Sequence, residues 1–158
     1  AFSILGSSLI IYMILSDWKR KLDRPFHRLV LMMSIFDFLQ SAAMAVATTA
    51  FPKESNIYGA KGNTHTCTIQ GFFILLGSAV PIYNACLNIF YVLTIRYSVS
   101  SGRFAKFEPA LHAIAILVPL SMAITFIALG DYMPQESVQE SVCVPTTKPF
   151  FIALASLF

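Results

Sequence analysis

Residues 66–98 read TCTIQGFFILLGSAVPIYNACLNIFYVLTIRYS, and the stretch 69–95 within them carries no charged side chain. A bilayer's hydrocarbon core is about 30 Å thick, and a helix rising about 1.5 Å per residue crosses it in about 20 apolar residues. A helix in a soluble core has no use for an uncharged run of this length. Two further runs of spanning length occur at 29–51 and 110–130, and shorter apolar runs at 1–15 and 150–158. Composition agrees: 56% of residues are hydrophobic, 12% are charged, and the mean hydropathy is +0.69. The reading is an all-α, multi-pass transmembrane helix bundle, whose first and last runs are cut short as in a piece of a longer chain.

Charge placement sets an expected sidedness. Lys19, Arg20, Lys21, Arg24 and Arg28 follow the first run, and Arg96, Arg103 and Lys106 follow the third, leaving only Lys53, Lys61 and Lys148 for the opposite side. Short loops rich in Lys and Arg stay cytoplasmic, so the N-terminus is expected outside. A basic cluster after the first apolar run, not before it, argues against a cleaved signal peptide. The net charge of +3 is then a topology signal and not a nucleic-acid footprint.

The cysteines fit that sidedness. Cys67, at the head of the third run, and Cys143, before the fifth, both fall on the expected outer face, where disulfides persist. They either form a bridge pinning the last outer loop to the third helix or remain two free thiols. Cys86, midway along the third run, reads as a small apolar residue.

Within the spans, polar residues are costly and mark an interior. Asp37 is the one acid inside them, at about 2.5–3.5 kcal/mol on insertion scales. Ser34, Asp37, Ser41, Met44 and Thr48 recur at steps of three and four, as do Gln70, Gly77, Pro81, Asn84, Asn88 and Tyr91 on the next helix. Asp37 and Asn88 each lie about 12 Å from the cytoplasmic end of their helix, so the two stripes are expected to face each other across a polar cavity holding Asp37, Ser34, Ser41, Gln70, Asn84 and Asn88. Pro119 is expected to kink the fourth span, and His112 reads as a helix-interface residue. The three histidines lie apart, and neither a phosphate loop, a carboxylate pair nor a metal-spaced Cys/His cluster is visible. No enzymatic activity, cofactor or nucleic-acid partner is expected.

Taken in order, these features resemble the N-terminal half of a seven-helix G-protein-coupled receptor. The second run carries SIFDFLQS where the rhodopsin-like class has Leu-Ser-x-x-Asp-Leu; Cys67 heads the third helix, Arg96-Tyr97 closes it, and Cys143 lies in the second outer loop. The segment TCTIQGFF is similar to the corresponding region of cyclic-AMP-receptor-like, protist-type members. Arg96 follows Ile95 where the family places an acid. The resemblance implies a plasma-membrane receptor with an extracellular ligand. It implies a Cys67–Cys143 bridge, a sodium ion or water cluster at Asp37, and a heterotrimeric G protein docking at Arg96 and Tyr97. A transporter or channel, and a retinal-binding photoreceptor, remain open alternatives.

Overall fold

Prolines and caps decide where the helices begin. The computed structural model describes residues 2–53, 59–98, 100–129, 132–136 and 141–145. After α1 (Phe2–Leu15) and the short α2 (Trp18–Lys21), helix α3 (Pro25–Val46) starts on a proline. A missing N–H costs nothing at a first helical position, so α3 begins four residues before the apolar run and draws Phe26, His27 and Arg28 into its first turn. It closes in a 3-10 turn, Ala47–Ala50, short of the expected end at 51. Pro52 follows directly and cannot continue a helix.

The third run forms a continuous helical stretch, Thr64–Arg96, of 33 residues. It comprises α4 (Thr64–Leu76), α5 (Ala79–Tyr91) and a π-helical turn, Val92–Arg96. Asn63 caps its start: the Asn63 side chain accepts from the Thr66 amide at 2.9 Å, and the Thr66 hydroxyl accepts from the Asn63 amide at 2.8 Å. That reciprocal cap places the helix start five residues before the apolar window. The junction at Gly77 and Ser78 follows from Pro81, which lacks the N–H that would bond the Gly77 carbonyl. The Val80 amide bonds that carbonyl instead, at 2.9 Å. Gly77 is also a close approach, because a Cβ there would fall 2.3 Å from the Gln40 side chain of α3.

A short α6 (Ser101–Phe104) leads into α7 (Glu108–Leu129). Glu108 sits in its first turn, where a carboxylate favours the positive end of the helix dipole. Pro119 lies inside α7, and the helix continues through it with the ring fully buried. Strands β1 (Tyr132–Glu136) and β2 (Ser141–Pro145) then pair antiparallel, with Pro134 opposite Cys143. The segment expected to be a plain outer loop is thus partly a hairpin, and the fold is helical with this one addition. The run 150–158 lies outside the described residues.

The core sits where α3, α5 and α7 meet, with Leu29, Phe36, Tyr83, Leu87, Phe90 and Ala115 in one cluster. Phe104 of α6 closes it against Phe90, ring centroids 4.9 Å apart. Leu75, Ala123 and Phe126 join α4 to α7 further along. The outer faces remain apolar: Leu117 is 59% and Ile124 53% exposed. A predominantly apolar exterior on stretches 22, 33 and 21 residues long is the pattern of helices solvated by lipid.

Candidate functional site

The polar residues form three clusters, at the two ends of the bundle and on its flank. At one end Cys67 and Cys143 are disulfide-bonded, with Cα atoms 5.4 Å apart. Both are essentially fully buried and pack with Phe51. The bond fixes the β-hairpin over the head of α4. Gln70, one turn into α4, reinforces it: its Nε2 donates to the Ala43 carbonyl of α3 at 3.1 Å, and its Oε1 faces the Cys143 amide at 3.4 Å. Gly62 completes the closure, since a Cβ there would meet the Ala50 carbonyl oxygen at 2.4 Å. A mostly apolar cavity of about 420 Å³ opens alongside, lined by Leu39, Ala43, Val46, Thr66, Gln70 and Phe73 among others.

At the opposite end, where the basic residues gather, four side chains from three helices form a chain of polar contacts. Arg28 of α3 grips Glu108 of α7 with both nitrogens of its fork, Nε to Oε1 at 2.6 Å and Nη2 to Oε2. Arg28 Nη1 also donates to the Leu22 carbonyl at 3.1 Å. Glu108 Oε1 stands 3.4 Å from His112 Nε2, one turn along α7. His112 Nδ1 lies 2.9 Å from the hydroxyl of Tyr83, a fully buried residue of α5 that stacks on Phe36 of α3. The Glu108 side chain is 4% exposed and that of Arg28 36%, so the acid is held inside while the guanidinium keeps one edge open. A bidentate pair of this kind orients both partners and is strong where water is excluded.

The third cluster centres on Asp37, and here the expected arrangement is corrected. Asp37 Oδ2 accepts from Ser3 at 2.9 Å and from Ser7, both on α1, and Ser41 donates to Ser3 at 3.0 Å. Asn84 and Asn88 are exposed on the far side of α5. Asp37 thus takes its hydrogen bonds from α1, and none from Asn84 or Asn88 among the described residues. Apolar spacing decided the rotation of both helices. Phe36 turns toward Tyr83, which carries Asp37 about 100° round toward α1; Tyr83, Cys86, Leu87 and Phe90 turn inward on α5, which carries the asparagines away. Of the remaining expected site residues, Ser34 is buried at 4% on α3 and Gln70 belongs to the disulfide end. Arg96 and Tyr97 are exposed at the basic end.

Sequence alone marks Arg28 only as a sidedness charge and does not mark Glu108 or Tyr83. Arg28 and Glu108 fall outside the apolar windows and look like loop charges. The usable signal was Glu108 and His112 at i and i+4, on the same face as Ala115, Pro119 and Ala123. Among the described residues no group of His, Cys, Asp and Glu is placed to hold a metal ion. No family model, no curated protein and no solved structure matches the chain.

Proposed function

We propose that the chain is part of a seven-helix receptor that passes an extracellular signal to a cytoplasmic heterotrimeric G protein, with its N-terminus outside the plasma membrane and no chemistry of its own. The observation that supports this best is the 33-residue helix that begins at a disulfide and ends in exposed Arg96 and Tyr97. An element of that length, tied at its head and open at its foot, suits a two-state device in which a ligand biases helix packing and the far end responds. The cavity beside the disulfide, at about 420 Å³, has the size and apolar lining of a small-molecule site. The Arg28–Glu108–His112–Tyr83 chain would then hold the resting packing at the cytoplasmic end.

The test is guanine-nucleotide exchange on a purified heterotrimeric G protein by the full-length protein. Stimulated exchange that falls when Arg96→Ala or Tyr97→Ala is introduced, with surface expression retained, supports the reading. Absence of exchange together with solute or ion flux in proteoliposomes would move the assignment to a transporter or channel.

A further inference from the structure

The basic turn between α1 and α3 carries a feature that topology alone does not require. A cavity of about 220 Å³ is lined by Asp17, Arg20, Lys21, Arg24 and His27. Lys21 reaches back to donate to the Met13 carbonyl, which folds α2 against the end of α1 and shapes one wall. Among the described residues neither Arg20 nor Arg24 has a carboxylate partner, and Asp17 is in no ion pair. His27 lines one side of the cavity, with its Nδ1 turned away from solvent. The two guanidinium groups and the Lys21 ammonium along its wall form an acceptor-seeking surface.

We infer that this cavity binds the phosphomonoester headgroup of an anionic lipid. Depth selects the source. Helix α1 ends at Leu15 and the next apolar run begins at Leu29, so the turn between them lies at headgroup level, where the exposed ring of Trp18 also belongs. Chemistry selects the headgroup. A phosphomonoester carries about −1.5 to −2 charge and three acceptor oxygens, enough for two guanidinium forks, whereas a phosphodiester offers a single charge and fewer oxygens. A general attraction of basic loops to anionic leaflets would count every Lys and Arg alike. The cavity instead distinguishes Arg20, Arg24 and His27 from Lys19, which does not line it.

The experiment places the chain in nanodiscs of phosphatidylcholine alone, with phosphatidylserine, or with a singly ring-phosphorylated phosphoinositide at matched total charge. Binding is read by native mass spectrometry and by the fluorescence of Trp18, the one tryptophan. The phosphoinositide is expected to remain bound and to shift Trp18 emission. Arg24→Gln should weaken binding by about tenfold or more, Arg20→Gln should do the same, and Lys19→Gln should leave it nearly unchanged. Each variant keeps four of the loop's five Lys and Arg residues, so the fold and insertion are preserved. Equal retention of phosphatidylserine, or equal weakening by Lys19→Gln and Arg24→Gln, would overturn the inference. The corresponding soluble inositol phosphate, added to phosphatidylcholine nanodiscs, should bind much more weakly. Binding as tight as the lipid's would assign the cavity to a free phosphate compound and overturn the lipid source.

Discussion

The two ends of the bundle are closed by different physics. At the hairpin end a covalent bond, the tight approach of Gly62 to the Ala50 backbone and the Gln70 bridge lock α3, α4 and β2 together. At the basic end the equivalent job falls to Arg28, Glu108, His112 and Tyr83, which are joined only by ion pairs and hydrogen bonds. A disulfide does not open thermally, whereas a polar chain can exchange partners at modest cost once a competing anion, cation or water reaches it. The contrast predicts that any repacking is confined to the basic end, with the hairpin end as the fixed reference.

Reduction gives the largest effect. Cys67 and Cys143 are 76 residues apart, and a bridge closing so long a loop contributes about 4 kcal/mol in the chain-entropy account. A Cys143→Ser variant should therefore show a strongly lowered thermal midpoint in detergent and greater hydrogen exchange at the start of α4, with the basic end unaffected. Equal loosening of both ends would erase the distinction between them.

Next comes Glu108→Ala, which leaves Arg28 facing a void and His112 without its acid. Breaking one side of a buried pair costs about 3 kcal/mol, the lower end of the usual range because the guanidinium is one-third exposed. Glu108→Gln keeps the shape and a neutral acceptor and should cost clearly less. Matched losses for the two variants in a thermal-unfolding assay would show that packing, not charge, holds this end.

Tyr83→Phe is the smallest change. It retains the ring stacked on Phe36 and removes only the hydroxyl that meets His112, for a loss of about 1 kcal/mol. Combined with Glu108→Gln it should be non-additive, since both act on one chain of contacts. Strict additivity in a double-mutant cycle would mean that the Tyr83–His112 contact and the Arg28–Glu108 pair are independent.

The spans themselves are legible because a run of more than 20 residues with at most one charge has few alternatives, and the helix ends are less so because Asn63, Pro25 and Glu108 act from outside the apolar windows. Asp37 was correctly placed inside a helix, but its partner was not legible. Polar stripes on α3 and α5 were read as facing surfaces, while the packing of Phe36, Tyr83, Leu87 and Phe90 set the rotation. Hydrogen bonds between membrane helices are individually weak, about 0.6 kcal/mol, so apolar fit outweighs them. Arg28 and Glu108 lie far apart in sequence, and no local pattern joins them.

The most direct test of the contrast is a pair of spin-label distances on a background carrying Cys86→Ala. One pair, Ile95→Cys with Phe107→Cys, reports the basic end; the other, Ile69→Cys with Ile127→Cys, reports the hairpin end, and all four positions are exposed. Introducing Glu108→Gln should broaden or shift the first distance distribution and leave the second as it was. Both distributions unchanged, or both broadened together, would contradict a bundle fixed at one end and releasable at the other.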